Sequence, residues 1–274
     1  MSRANPHAPL QALALSAVLV GCLPAVLAAA VADPLPLAGA WFGLTVAGYL
    51  CAAGGAMVAA FSFVAGDAQR PGWLCLAGSW LVLVPARLVG GPVWSGLVDL
   101  PQRASLALAA ASVGSGLLAV AGFVILTGAW RDSGLDQSSR RSRVVLRLLA
   151  LAAAAALAGP DLVGRLPAAL HGDAGALGDV ITDLLDGALL VVAAPVLRAA
   201  LALGGGLAAW PWAFLTAGLV AWLGYDAMAA LGDLVGLAPR AVRLWEETFR
   251  ALAAVGTFSA GVGQRWMMTE LRRR

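Results

Sequence analysis

Residues 179–192 read DVITDLLDGALLVV. From Gly187 onward the stretch is apolar enough to sit in lipid. Before it come Asp179, Asp183 and Asp186 at spacing i, i+4, i+7. In a helix this spacing stacks all three carboxylates on one face. An ionised side chain well inside a membrane span costs about 2.5–3.5 kcal/mol on insertion scales, so it faces the protein interior and pairs there. The stretch therefore reads as a membrane helix whose polar face looks into an interior site. At the helical rise per residue, Asp186 lies roughly 10 Å deeper than Asp179.

Composition fits such a helix. Of 274 residues, 61% are hydrophobic and 12% charged, with a mean hydropathy of +0.85. A soluble domain carries about 25% charge. The fold class expected is an all-α, polytopic membrane helix bundle. All 18 basic residues are Arg. The lack of Lys excludes a retinal Schiff base, which needs a lysine amine. Together with the wealth of Ala, Gly, Leu and Val, it points to a bacterial inner (cytoplasmic) membrane. Cys22, Cys51 and Cys75 are scattered in apolar runs and read as core residues. His7 and His171 are the only histidines, which argues against a transmembrane bis-histidine haem. No cofactor, metal or nucleic-acid partner is expected.

Eight apolar segments are long enough to cross about 30 Å of hydrocarbon. They run roughly over 9–32, 37–65, 72–91, 104–130, 144–163, 180–203, 208–230 and 243–268. The connection 131–143, RDSGLDQSSRRSR, and the terminal ELRRR are basic. The positive-inside rule places both in the cytoplasm, and eight spans then put the N-terminus there too. In this orientation twelve of the 18 arginines are inside and eleven of the 15 acids outside. Trp73, Trp94, Trp130, Trp210, Trp212, Trp245 and Trp266 fall near span ends, as an aromatic belt would. The start of the chain also resembles a signal peptide with a lipobox, LVGC, ending at Cys22. The apolar run to Ala32 is longer than a usual signal core, so an uncleaved first helix is expected.

The two halves, 1–143 and 144–274, resemble each other. Trp73 maps to Trp210, Pro101 to Pro239 and Trp130 to Trp266 at offsets of 136–138. This suggests a tandem repeat of four plus four spans, with any ligand bound between the halves. Convergence of low-complexity Ala/Leu/Gly helices is the alternative. Arg87 in the first half corresponds to Tyr225 in the second. The acids are concentrated in the second half, as Asp179, Asp183, Asp186, Asp226, Glu246 and Glu247.

Candidate ligand-binding or ion-pairing residues are Asp183, Asp186, Asp226, Glu246, Glu247, Arg250, Arg87 and Tyr225. Glu246 shares a helix face with Arg243 and Arg250, and Glu247 forms a similar set. Together they form either an outward-opening pocket for a cation, proton or small polar ligand, or a structural ion-pair network. Enzyme signatures are incomplete. EETFR at 246–250 resembles the EExxxR motif of intramembrane proteases but is one residue short and lacks the later histidines. Ser115 in VGSG resembles a rhomboid nucleophile, with no membrane His to serve as its base. No enzyme is expected. Gly114, Gly116, Gly122, Gly256, Gly261 and Gly263 read as close helix packing, and Gly204–Gly206 as a tight turn.

The order ITDLLDGALLVV, then LVAWLGYDAM, then a final span resembles the multi-span sensory input regions of bacterial signalling proteins of the diguanylate cyclase and histidine kinase type. The resemblance covers about 36–268. It implies a sensor whose key positions are Asp183 or Asp186, and Asp226. Those input regions continue into an output domain, whereas this chain stops at Arg274, so output through a separate protein is expected. A small transporter using the carboxylates, and a structural subunit of a larger membrane complex, are the alternatives. Partners expected are membrane lipid and other membrane proteins.

Overall fold

A computed structural model of the chain describes residues 7–90, 102–132, 140–203 and 206–273. Among these residues there are nine α-helices and no strand. They are α1 (Ala8–Gly21), α2 (Leu23–Ala30), α3 (Pro34–Ala60), α4 (Arg70–Gly90), α5 (Gln102–Asp132), α6 (Arg140–Leu170), α7 (Ala174–Ala202), α8 (Ala209–Val235) and α9 (Pro239–Arg273). Each of the eight apolar segments falls on helix, and the first is divided in two. Pro24 has no N–H to offer the Val20 carbonyl, so the ladder breaks there. Most of the 131–143 loop and Gly204–Gly205 lie outside the described residues, as does Trp94.

Local chemistry sets the ends. Asp33 caps α3 by accepting from the Leu35 N–H at 3.1 Å. Asp173 caps α7 by accepting from Gly175 N at 2.8 Å and Ala176 N at 3.1 Å. Such caps satisfy backbone donors that have no partner in the first turn. The α6–α7 turn needs Gly172, whose φ of +90° is a left-handed conformation that glycine adopts without strain.

Five stretches are long and apolar enough to cross a membrane: Ala8–Ala30, Leu35–Ala60, Arg70–Val89, Leu106–Asp132 and Ala174–Arg198. The chain is thus a multi-pass membrane protein by helix length and hydropathy. The other three expected spans lie on α6, α8 and α9. On α6 the apolar part is only Val144–Ala156. On α9, charged residues from Arg240 to Arg265 interrupt the apolar run.

The packing order is circular. α3 packs on α4, α4 on α5, α5 on α7, α7 on α8, α8 on α9, and α9 returns to α3. α6 packs mainly on α7, and α1 on α9. Small residues let these long helices approach closely, as they do wherever lipid supplies no hydrophobic drive. A Cβ on Gly261 would run into the Gly55 carbonyl of α3, and one on Gly256 would come within 2.6 Å of the Gly218 Cα of α8. Between α5 and α4, a Cβ on Gly122 would meet the Gly72 carbonyl at 2.9 Å. Gly114 and Gly263 have room to spare: the nearest atoms to a Cβ there are at 3.9 and 3.7 Å.

Trp73, Trp130 and Trp212 depart from the aromatic-belt expectation. All three are buried, Trp73 to 1% exposure. They fill the core with Phe123, Leu126 and Phe214, and Trp130 meets Trp212 edge-on at 5.5 Å. Where neighbouring helices are built from Ala and Gly, the indole supplies the missing volume. Trp245, at 49% exposure, does face outward.

Gly261→Ala should destabilise the protein by at least about 1–3 kcal/mol, the usual cost of overpacking. Gly114→Ala should change stability by less than about 0.5 kcal/mol. Thermal unfolding of the two variants in the same detergent checks the contrast.

Candidate functional site

The polar centre of the protein is Glu247, in the third turn of α9. Its Oε1 accepts from Arg87 Nη2 of α4 at 2.8 Å and from Arg250 Nη1, one turn along α9, at 2.5 Å. Its Oε2 accepts from the Thr45 hydroxyl of α3 at 2.8 Å. The three charged side chains are 18%, 7% and 12% exposed for Arg87, Arg250 and Glu247. Such charge-assisted bonds are the shorter and stronger kind, and burial makes each partner depend on the others. Arg250 also lies over the ring of Tyr225 on α8, with its guanidinium carbon 4.4 Å from the centroid. That is cation–π distance.

Glu246 and Glu247 therefore divide. The helix turns Glu247 inward to both arginines, whereas half-buried Glu246 makes no hydrogen bond or ion pair among the described residues. Arg250 is paired at i, i+3 with Glu247 rather than at i, i+4 with Glu246.

The three aspartates of α7 divide as well. Asp179, near the start of α7, is exposed and pairs with Arg165 of α6 at 3.3 Å. Asp183 and Asp186, one and two turns deeper, face α8. Asp186 Oδ1 accepts from Trp222 Nε1 at 3.3 Å. Asp226 sits one turn beyond Trp222 on α8 and comes together there with Asp183 and Asp186. Asp226 Oδ2 is buried with no hydrogen-bond partner among the described residues. The three acids, Ala154 and Leu223 enclose a small void of about 30 Å³. No group of three or more His, Cys, Asp or Glu among the described residues is arranged to hold a metal ion.

These two clusters share one cavity of about 330 Å³. Its walls come from all six helices of the ring: Tyr49 of α3, Arg87 of α4, Ser115 of α5, Asp186 of α7, Asp226 of α8 and Arg250 of α9. Four aromatic rings run along it in series. Tyr49 and Trp80 have centroids 5.3 Å apart, Trp80 and Trp222 5.6 Å, and Trp222 and Tyr225 5.6 Å. The cavity thus offers two guanidiniums, two carboxylates, several hydroxyls and a large aromatic surface. A concave, mostly apolar space with a few convergent polar groups is the usual form of a small-molecule site.

Of the residues expected from sequence, Arg87, Asp186, Asp226, Tyr225 and Arg250 line this cavity. Glu247 ties the two arginines together, Asp183 stands just behind Asp186, and Glu246 lies apart. Sequence reasoning missed Thr45, Tyr49, Trp80 and Trp222. One signal was available: the chain has only two tyrosines, Tyr49 and Tyr225, and both line the cavity.

Fold and site together define a multi-pass membrane protein with a charged chamber inside a ring of helices. No family model, curated protein or solved structure matches the chain.

Glu247→Gln should destabilise the protein by about 3–5 kcal/mol, because it leaves two buried guanidiniums sharing no carboxylate. Glu246→Gln should change stability by no more than about 0.5 kcal/mol. Paired thermal melts of the two purified variants test this.

Proposed function

We propose that the protein is a membrane-embedded binding protein, a stand-alone sensor or accessory subunit that holds a small ligand in the chamber between its halves, and not an enzyme. The single observation that carries this reading is the 330 Å³ cavity walled by all six ring helices and furnished with charges of both signs. A structural ion-pair network needs no such space, because close-packed interiors leave few voids larger than a water molecule. Among the described residues, the wall residues come from α3–α5 and α7–α9, three helices from each half, with α1–α2 and α6 contributing none. That division supports the tandem-repeat reading and a ligand held between repeats.

In this reading all eight apolar segments cross the inner membrane and both termini are cytoplasmic. The spans on α7, α8 and α9 tolerate their charges because Asp183, Asp226, Glu247 and Arg250 face the interior. A ligand entering the chamber changes the distance between the halves, and a separate membrane protein receives that change.

A second reading, a small transporter, is favoured by one observation: Asp186 and Asp226 approach the same cavity from adjacent helices. Paired intramembrane carboxylates are a recurrent form of ion and proton pathway.

Protein purified gently from its native membrane should release a stoichiometric small molecule on denaturation, identifiable by mass spectrometry. The variant Ala119→Phe, which fills the chamber wall, should release at least tenfold less. Equal or absent release from both would refute the binding reading. If transport is the function, liposome flux of the released molecule should be lost in Asp186→Asn.

A further inference from the structure

The charges of the chamber do not balance. Arg87 and Arg250 share Glu247, which leaves one positive charge on that wall. Asp186 and Asp226 on the opposite helices bring two carboxylates, and Asp183 stands just behind them. Carboxylates therefore outnumber guanidiniums around a largely apolar space, where an uncompensated ion costs several kcal/mol. Asp226 is the natural holder of that excess. Asp186 accepts from the Trp222 indole at 3.3 Å, whereas Asp226 Oδ2 has no partner among the described residues.

The chamber's aromatic lining says what kind of counter-charge fits. Trp80 and Trp222 meet edge to face. Tyr225 already carries the Arg250 guanidinium over its ring, so its face is used by the protein's own cation. Trp80 and Trp222, together with Tyr49, remain as apolar and cation-attracting surface beside the aspartates. Tryptophan is the best of the aromatic side chains for holding an organic cation, and desolvation strengthens the attraction to about 2 kcal/mol or more. The volume of about 330 Å³ is far larger than a proton or a dehydrated metal ion needs. An anion would meet Arg87 and Arg250 but would also meet Asp186 and Asp226, and would add to the excess.

Resting on the binding reading, we infer that the chamber's ligand is a small organic cation, an amine or quaternary ammonium, with its charge at Asp226 and Asp186 and its apolar body against Trp80 and Trp222. The positive end of the ligand offsets the excess of carboxylates, and the aromatic wall selects an organic cation over an inorganic one.

The test is a matched set of probes on the purified full-length protein: benzyltrimethylammonium, benzyl alcohol and benzoate, measured by equilibrium dialysis. The cation should bind, and the neutral and anionic probes should bind at least tenfold more weakly. Asp226→Asn should weaken the cation at least tenfold, whereas Asp179→Asn, which removes an acid outside the chamber, should leave it unchanged. Asp226→Asn without ligand should melt no lower than the wild type, which shows that it folds. Trp222→Phe, which keeps an aromatic face, should retain more cation affinity than Trp222→Leu.

Equal cation binding by wild type and Asp226→Asn overturns the inference. Preferential binding of benzoate or benzyl alcohol overturns the ligand class but leaves the chamber reading standing. Absence of binding by all three probes also overturns the class, and the chamber reading then stands or falls on the Ala119→Phe comparison.

Discussion

Glu247 is the point on which the rest of the structure depends. One carboxylate on α9 accepts from a guanidinium on α4, a guanidinium one turn away on α9 and a hydroxyl on α3. In water such pairs contribute little. Here all three charged groups are largely buried, and removing any one of them strands the others in a medium that cannot solvate them. The clamp fixes the positions of α3, α4 and α9 around one end of the chamber. It also fixes Arg250, which in turn lies on Tyr225 and so ties in α8.

Polar clamping alone would not close the ring. Helices in lipid gain nothing from hiding apolar surface from other apolar surface, so they associate through close van der Waals packing. α9 achieves this on two sides. Gly261 rests on Gly55 of α3, and Gly256 on Gly218 of α8. A helix gripped so tightly by its neighbours leaves its third turn free to present charges to the centre. Around the opposite end, Trp73, Trp130 and Trp212 fill the space between small residues. Indole packing at one end and charge pairing at the other leave the cavity between them.

Much of the fold was legible because a membrane span writes itself as an uninterrupted apolar run. Every apolar segment read from the sequence falls on helix, including those on α8 and α9 that carry charges. The break at Cys22 was missed, although Pro24 marks it. The site was legible in part, and for a definite reason. A charge in a span is costly, so Arg87, Asp186, Asp226 and Arg250 announce themselves as interior residues. What they touch is set by helix rotation and by which helices adjoin. That is why Glu246 and Glu247 could not be separated by spacing alone. Aromatic residues carry no such cost in lipid. Trp80 and Trp222 of the chamber wall are therefore indistinguishable in sequence from Trp245, which faces outward, and Thr45 has no feature that sets it apart from other hydroxyls in apolar runs.

The central claim is that the six helices enclose a space that small molecules enter, rather than a sealed ion-pair network. Ser115 is buried on α5 and lines that space. Replacing it with cysteine, in a chain whose Cys22, Cys51 and Cys75 are changed to Ser, makes the chamber directly addressable. In intact membranes the Ser115→Cys thiol should react with a small cationic thiol reagent, and a cation bound in the chamber should slow that reaction at least tenfold. A thiol as inert as one facing lipid, with or without a cation, would contradict the account.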